Sequence, residues 1–270
     1  METINCSICD KANSDPYLEV PNISFSEPTK FQLVKCKNCN FVYLNPRISS
    51  NEIIKYYSTD YLPHVEKNNF MKYVQLLLFR WKRYIIEIFK KKGKVIDIGS
   101  GNNSFIKYMR NHSWDADSFD KFNNSTINDI NKCKDNYYDV ITLWHSIEHI
   151  HNIDSFLMKI KRIIKKDGIL IIACPNINSI DSDLLGARWI AYDAPRHLYH
   201  FSPETLIRYL SKFNLYIVSY YRMYQDTFFN IIKSKNINFL TKLLFIVTSI
   251  IAIFIFKQKS SSFLYICKLK

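Results

Sequence analysis

The sequence predicts an α/β protein with a doubly wound parallel sheet, preceded by a small cysteine-rich unit. From Gly93 onward, short apolar strands alternate with helical segments, which is the pattern of a parallel sheet with helices on both faces. A glycine-containing loop follows the first of these strands directly, where such sheets bind ligands. Two Cys-x-x-Cys pairs lie near the N-terminus. At 270 residues, the chain can hold one sizeable domain and this small unit.

Composition limits the classes of partner. The formal net charge of +13 would suit nucleic acid or an acidic membrane face. Lysine, isoleucine and asparagine are abundant throughout, however, and no arginine-rich stripe with interleaved aromatic residues is present, so we expect no nucleic-acid partner. The polar first eleven residues do not resemble a signal peptide, and the paired cysteines favour metal binding over a disulfide framework. We therefore expect a cytoplasmic protein.

Residues 1–45 are predicted to form a zinc ribbon. The knuckles Cys6-Ser-Ile-Cys9 and Cys36-Lys-Asn-Cys39 are far enough apart for a β-hairpin to join them. Four thiolates form a closed tetrahedral site, so we expect a structural zinc ion. Asp10 and Asn40 follow the knuckles and tolerate the left-handed turn that such knuckles need.

Residues 46–92 are predicted to be a helical linker. Pro46 and the polar residues after it mark its beginning. A short helix is predicted over residues 52–57. A long helix is predicted over residues 69–92, where apolar residues recur every three or four positions.

The remaining segment, 93–270, is predicted to be the principal domain. Its strands are predicted at residues 94–98, 116–119, 138–144, 168–174, 214–221 and 262–268, with helices at 105–111 and 154–165. The chain has only five glycines, and four of them fall at the edges of these strands. Glycine in these places indicates backbone turns or a close approach to a ligand.

The loop after the first strand selects the cofactor. The run Val95-Ile-Asp97-Ile-Gly99-Ser-Gly101 places an acid before two glycines, and Ser104 replaces the third glycine of the dinucleotide fingerprint. A carboxylate at Asp97 would oppose a pyrophosphate. S-adenosylmethionine (SAM) carries an ammonium and a sulfonium instead, so charge favours SAM over NAD.

Two further strand ends complete the predicted cofactor site. Asp120 ends the second strand and is placed to accept hydrogen bonds from ribose hydroxyls. Leu143 and Trp144 end the third strand at the carboxyl edge of the sheet. The acid one βα unit after the glycine loop makes the pattern far more specific than the loop alone.

With these motifs the chain resembles the class I SAM-dependent methyltransferases, in particular the subgroup of ubiquinone-biosynthesis O-methyltransferases. The likeness covers roughly residues 40–225 and includes 95–101, Asp120, 138–149 and 163–176. It implies a Rossmann-like, seven-stranded sheet whose last two strands are antiparallel, and SAM bound by Asp97, Gly99, Gly101 and Asp120. Asn103 departs from the third glycine of many members, which should change the loop only locally.

The cysteine pairs are similar to the ribbon that precedes some sugar C-methyltransferases and proteins of surface-polysaccharide gene clusters. Residues 39–46 and the pair Tyr56-Tyr57 extend this likeness. A competing motif is His145-Ser-Ile-Glu148-His149, which fits the HxxEH pattern of inverted zinc proteases. Because it begins at a strand end and not within a helix, we place Glu148 and His149 at the start of the next helix.

A substrate lid is predicted over residues 176–212. The run 189–203 is dense in polar side chains and follows the fourth strand, close to the expected methyl donor. Removal of a proton from the acceptor needs a base, for which the candidates are His197, His200 and His145. The predicted substrate contacts are Tyr192, Arg196 and Tyr199. Arg196 could clamp a carboxylate or phosphate, or could form an ion pair with Asp193.

An apolar helical insertion is predicted at residues 231–259, before the last strand. Hydropathy alone makes its uncharged stretch, 243–256, a borderline membrane span. One crossing would separate the last two strands, which must pair in one sheet. We therefore expect residues 237–256 to lie on the inner membrane face as a peripheral contact, with flanking lysines at anionic headgroups, or to form a homodimer interface.

The sequence thus predicts a SAM-dependent methyltransferase with a structural zinc ion. The expected acceptor is a sugar or a lipid-linked glycan precursor. One alternative is a methyltransferase for a quinone-like small aromatic. Another is a non-catalytic SAM-fold protein that uses the ribbon to bind a partner, although the intact cofactor motif argues against it.

Overall fold

The computed structural model describes residues 1–22, 29–57, 69–121 and 125–270. Its larger sheet has six strands in the order β5-β4-β6-β7-β10-β9. Their bounds are β4 Lys94–Ile98, β5 Asp115–Phe119, β6 Tyr138–Trp144, β7 Ile164–Pro175, β9 Leu215–Arg222 and β10 Ser262–Leu269. The first four are parallel, and β10 lies antiparallel between β7 and β9. The predicted doubly wound α/β fold is confirmed.

Helices cover the sheet, and their ends follow local capping rules. Their bounds are α1 Asn69–Phe89, α2 Ser104–Arg110, α3 Ile153–Ile163, α4 Ile180–Leu185, α5 Pro203–Ser211, α6 Tyr224–Lys233 and α7 Phe239–Ile255. Ser202 and Thr205 form a reciprocal capping box at α5, with Pro203 in the first turn. Asn152 caps α3 by accepting a hydrogen bond from the Ser155 backbone. The central strands are continuous apolar runs because both faces of the sheet are covered.

The expected seventh strand does not occur in the described residues. Between β5 and β6, residues 130–132 form a single 3-10 turn in its place. Asparagine, aspartate and lysine dominate this segment and disfavour an extended edge strand. Asp129 instead accepts a hydrogen bond from the Asn131 backbone, which fixes the turn.

A second sheet joins the N-terminal segment to the predicted lid. It has the order β1-β2-β3-β8, with β1 at Ser14–Pro21, β2 at Lys30–Cys36, β3 at Val42–Leu44 and β8 at Tyr199–His200. All neighbouring strands in it are antiparallel. Parts of the predicted ribbon (23–28) and linker (58–68) lie outside the described residues. Because β8 lies in the segment predicted to be the lid, the cysteine-rich unit and that segment share one sheet.

Helix α7 lies on the surface of the molecule. Only Ser249 and Ile253 are buried along its length, and most of its large apolar side chains are exposed. Within the described ranges, no helix combines the length and hydropathy needed to span a bilayer.

Candidate active site

The glycine loop after β4 brings the backbone against the next strand end. Gly99 has φ +76°, and a Cβ there would collide with the Ser146 hydroxyl. Its N–H donates to the Phe119 carbonyl at 2.8 Å. Gly101 also has positive φ, at +54°, but a Cβ there would meet open space. Glycine is therefore required at 99 for packing and is favoured at 101 for conformation.

Two acids lie on either side of this loop. Asp97 is buried, and its Oδ1 accepts a hydrogen bond from Thr142 at 2.6 Å. Burial raises the pKa of Asp97 to about 6, although Thr142 and Lys82 act in the opposite direction. Asp120 accepts a hydrogen bond from the Gly101 backbone at 2.8 Å, so this acid holds the loop.

Trp144 and Lys82 form one wall beside the acids. Leu143 is fully buried, whereas Trp144 is partly exposed at the carboxyl end of β6. The ammonium of Lys82, from α1, lies 4.0 Å from the centre of the Trp144 ring. The indole N–H of Trp144 is buried and has no hydrogen-bond partner among the described residues. An unpaired donor beside an open loop fits a polar ligand at this edge.

His145 is held as a cation. Its Nε2 lies 3.1 Å from the Asp226 carboxylate and its Nδ1 lies 3.6 Å from Glu148. Burial lowers the pKa of His145, but the two carboxylates outweigh this effect and raise it to about 10. A protonated imidazole cannot accept a proton, so this geometry disfavours His145 as the base.

His197 and His200 differ in what their rings contact. Nδ1 of His197 lies 2.7 Å from the Ala191 carbonyl and donates to it, which leaves Nε2 as an acceptor. Burial lowers the pKa of His200 to about 3, and its Nε2 has no hydrogen-bond partner in the described part of the chain. His200 is therefore neutral and weakly basic. Of the three predicted bases, His197 has the geometry best suited to accept a proton.

Glu148, His149 and His197 form a group that could hold a divalent cation. One donor atom from each lies within 4.8 Å of the others. Glu148 is fully buried, and neither carboxylate oxygen has a hydrogen-bond partner among the described residues. Burial acts to raise the pKa of Glu148, but the contact with the protonated His145 lowers it to about 2. Two imidazoles and one carboxylate are a common metal-ligand set, and the same cluster could also orient a hydroxyl.

Arg196 pairs with Asp193, which is the alternative that the sequence left open. Its Nε donates to Asp193 at 3.0 Å, and its Nη2 donates to the other carboxylate oxygen. The guanidinium also lies 5.8 Å from the centre of the Tyr57 ring. An ion pair this buried fixes the loop before β8.

The two predicted tyrosines are both buried. Tyr192 packs edge-on against Trp189, with ring centres 5.0 Å apart. The hydroxyl of Tyr199 donates to the His151 carbonyl at 3.0 Å and accepts from Arg47 at 2.9 Å. Tyr199 thus ties β8 to the N-terminal segment, and its role as a substrate contact stays a prediction.

The four paired cysteines converge. The Sγ atoms of Cys6 and Cys39 are 3.4 Å apart, those of Cys9 and Cys36 are 3.5 Å apart, and all four lie within 4.8 Å of one another. Tetrahedral zinc–thiolate bonds of 2.3 Å imply sulfur separations of about 3.8 Å. The residues after each knuckle, Asp10 and Asn40, have the expected positive φ. The donor set and its geometry fit zinc.

Several contributing residues escaped the sequence argument. Thr142 and Ser146 support the glycine loop, while Lys82 and Asp226 reach the site from helices far apart in the chain. Glu148 and His149 lie in a 3-10 turn, one turn before α3 and not at its start. The HxxEH run was the sequence signal that could have marked Glu148 and His149 as site residues. In the structure its glutamate is buried beside two histidines, which is unusual outside functional sites.

Comparison with known proteins identifies the family. A methyltransferase-domain family matches residues 70–220, so the chain belongs to that family. Among solved structures, the chain is similar to a SAM-dependent methyltransferase from Archaeoglobus fulgidus, with 20% identity, 72% of this chain and 93% of that chain covered, and a TM-score of 0.49. No curated protein sequence matches the chain.

Two further structures have a TM-score of 0.50. Geranyl diphosphate C-methyltransferase from Streptomyces coelicolor A3(2) is 11% identical, with 79% of this chain and 88% of that chain covered. The 1,6-didemethyltoxoflavin-N1-methyltransferase from Burkholderia thailandensis is 10% identical, with 96% of this chain and 100% of that chain covered. At these identities the likeness shows a shared fold. With the family match, it confirms a class I, SAM-dependent methyltransferase.

Proposed function

We propose that this enzyme methylates a sugar or a lipid-linked glycan precursor, using His197 as the base. The observation that carries the proposal is the adjacency of two sets of groups. Asp97, Gly99 and Asp120 form the predicted SAM site, and Ser146 against Gly99 is three residues from His149. The ring of His149 lies 4.6 Å from that of His197, centre to centre. Donor and acceptor sites would therefore adjoin.

The cofactor edge would hold SAM through charge and hydrogen bonding. Asp97 and Asp120 are suited to the ammonium and the ribose hydroxyls of SAM. Gly101 has no side chain and so leaves space for SAM to lie against the backbone of the loop. When bound, SAM supplies a methyl group on a sulfonium centre. The protein's part is to align the acceptor atom with that group, which supplies much of the rate of an in-line displacement.

The acceptor must also lose a proton. Hydrogen bonding of Nδ1 to the Ala191 carbonyl keeps the His197 lone pair on Nε2, which faces the Glu148 and Asp193 carboxylates at 3.9 and 3.6 Å. Both carboxylates lie farther from His197 than Asp226 lies from His145, and they would stabilise the imidazolium that forms after proton transfer. Arg196 neutralises Asp193 and holds it in place.

The polarity of the neighbouring surface supports a hydroxylated acceptor. A groove of about 370 Å³ between the N-terminal segment and α3 is lined by polar groups, including Asn5, Arg47, His151 and Asp154. Such groups suit sugar hydroxyls better than they suit an aromatic ring. A quinone-like acceptor is the second candidate, and a non-catalytic binding protein is the third.

We further propose a structural zinc ion on Cys6, Cys9, Cys36 and Cys39, and a cytoplasmic enzyme. The ribbon-like sheet supports the first point, since zinc would fasten the turns that carry β2 and β3. The similarity of these cysteine pairs to those of sugar methyltransferases is consistent with the acceptor class.

The acceptor class can be tested with methyl-labelled SAM. Purified enzyme is incubated separately with nucleotide sugars, with polyprenyl-linked glycans and with catechol-type aromatics. We expect label in a sugar fraction, and its loss with His197→Gln. Label only in the aromatic fraction would favour the quinone-like candidate. SAM binding without transfer to any fraction would favour the binding protein.

A further inference from the structure

The outward side of α7 is apolar along its whole length. Nine large side chains on it are between 38% and 78% exposed: Phe239, Leu240, Leu243, Leu244, Val247, Ile250, Ile251, Phe254 and Ile255. We call these nine residues the α7 face. They recur at helical spacing, opposite the buried Ser249 and Ile253. A surface helix normally turns a polar side outward, whereas the outward side of α7 is apolar.

The neighbouring helix extends this surface. Phe228, Phe229 and Ile232 of α6 are also exposed, and α6 packs against α7. A patch of this size on a soluble fold marks an interaction site, since isolated exposed apolar residues need no partner but contiguous ones do.

The segment that carries the α7 face is rich in lysine and contains no acid. From Thr227 to the end of the chain there are seven lysines and no aspartate or glutamate. Lys233 and Lys235 lie before α7 and Lys257 lies after it, all exposed. Of the other four lysines, Lys259 is paired with Asp183, the Lys242 ammonium donates to the Ile232 carbonyl, and Lys268 and Lys270 lie at the far end of β10. The surface is thus an apolar strip with basic residues at both ends.

This charge pattern discriminates between occupants. In a two-fold symmetric dimer, the same patch meets itself, and residues 227–270, which carry the face, include no acid to pair with the lysines of a second copy. An anionic bilayer provides both an apolar layer and negative headgroups, and each lysine near such a surface adds to the attraction. Charge complementarity therefore favours lipid.

A groove lies beside the C-terminal end of α7. It has a volume of about 520 Å³ and is lined by Trp81 of α1, Tyr221 and Arg222 of β9, Gln225 of α6, and Lys257, among others. Trp81 precedes Lys82, which lies on Trp144, and Gln225 precedes Asp226, which contacts His145. The groove thus lies beside the end of α7. Two of its lining residues are sequence neighbours of Lys82 and Asp226.

We propose that the α7 face docks on an anionic phospholipid bilayer, with α7 lying in the plane of the headgroup–acyl boundary. In this arrangement Lys233, Lys235 and Lys257 contact the headgroups. The groove beside Lys257 then opens close to the membrane surface. Docking does not depend on the acceptor chemistry proposed above, and it can be measured without turnover.

The test is co-sedimentation with vesicles made of equal parts phosphatidylcholine and phosphatidylglycerol, compared with pure phosphatidylcholine. The wild-type protein should pellet with the anionic vesicles, and salt should weaken binding only in part because the apolar contribution remains. The double variant Ile250→Asp, Phe254→Asp should bind roughly 100-fold more weakly, since two large side chains no longer enter lipid. The double variant Lys233→Gln, Lys235→Gln should weaken binding to the anionic vesicles and leave binding to pure phosphatidylcholine vesicles unchanged.

The matched control is Met158→Asp with Ile207→Asp. These two apolar side chains, on α3 and α5, are 57% and 53% exposed but lie outside the α7 face. The control should bind vesicles as the wild type does, and each variant's SAM affinity verifies that it is folded. Wild-type protein that stays in the supernatant overturns the proposal. So does a wild-type dimer that ignores vesicles and becomes monomeric in the α7 double variant, which would assign the face to a second copy.

Discussion

The predicted cofactor edge and the proposed acceptor cluster around His149 and His197 are assembled in different ways in this methyltransferase. The cofactor groups come from the ends of three adjacent parallel strands, β4, β5 and β6, between residues 97 and 146. The acceptor cluster combines residues 145–149 with the loop before β8 and with the N-terminal segment. One half therefore depends on local backbone geometry, whereas the other depends on long-range packing.

The pairing of β3 with β8 shows how the acceptor half depends on long-range packing. Strand β8 pairs with β3 through Val42 opposite His200 and Tyr43 opposite Tyr199. Leu44 donates its N–H to the Leu198 carbonyl at 2.9 Å. Since β2 ends at Cys36 and β3 follows the second knuckle, anything that loosens the cysteine cluster should be transmitted to His197 and His200. Within the described residues, no strand pairing links the cofactor half to the cysteines, although both contribute to one apolar core.

The largest expected effect comes from breaking the metal site. Cys36→Ser should release zinc, disorder the N-terminal sheet and reduce turnover roughly 1,000-fold, while SAM affinity changes little. Metal analysis, calorimetry and a methyl-transfer assay measure the three quantities. Cys133→Ser, at a buried cysteine outside the cluster, is the matched control and should keep one zinc per chain. Equal losses of SAM binding and turnover in Cys36→Ser would show that the two halves are not separable.

The second effect concerns the base. His197→Gln should lower kcat roughly 100-fold or more and leave the SAM affinity unchanged, because only proton transfer is removed. His200→Gln should have a smaller effect, since that imidazole is neutral and weakly basic. If neither change, nor His145→Gln, slows turnover of the true acceptor, these imidazoles do not remove the proton.

The third effect lies in the cofactor half. Asp120→Ala should weaken SAM binding by roughly 10- to 100-fold, because it removes a charged acceptor and frees the Gly101 N–H. Asp120→Asn keeps an acceptor for that N–H and should bind SAM with intermediate affinity. Calorimetry distinguishes the three proteins. Equal affinities would mean that Asp120 shapes the loop without contacting SAM.

The smallest effect is a pH dependence set by Asp97. Because burial raises its pKa to about 6, SAM affinity should fall about tenfold per pH unit below pH 6, as the carboxylate becomes protonated. The same shift destabilises the folded protein as pH rises from 3.8 through about 6. Asp97→Asn should therefore add up to about 3 kcal/mol to the unfolding free energy at pH 8, while its weakened SAM binding becomes independent of pH. Affinity measured between pH 5 and 8 tests this directly.

The difference between the halves also explains what the sequence could predict. The strands at 94–98 and 138–144 occur at those residues, and the glycine loop follows the first, because short apolar runs and glycines report local structure. The convergence of the cysteines followed from their spacing. These features need no knowledge of long-range packing.

The acceptor half was harder to predict from the sequence, for a physical reason. Strand β8 is only two residues long, and its partner lies more than 150 positions earlier in the chain, so no periodicity marks it. The pairing of Asp226 with His145 likewise depends on how helices dock, as does the position of Lys82 over Trp144 in the cofactor half. The absence of the seventh strand from the described residues could have been predicted, since its segment is rich in asparagine and aspartate, which disfavour strands.

Calorimetric titration of the wild-type, zinc-loaded protein with SAM at pH 7.5 tests the cofactor site most directly. We expect one site per chain with a dissociation constant in the micromolar range, in line with common enzyme ligands. The Cys36→Ser protein should give nearly the same constant. Absence of binding to folded wild-type protein would contradict the central claim that the edge formed by Asp97, Gly99, Gly101 and Asp120 holds the methyl donor.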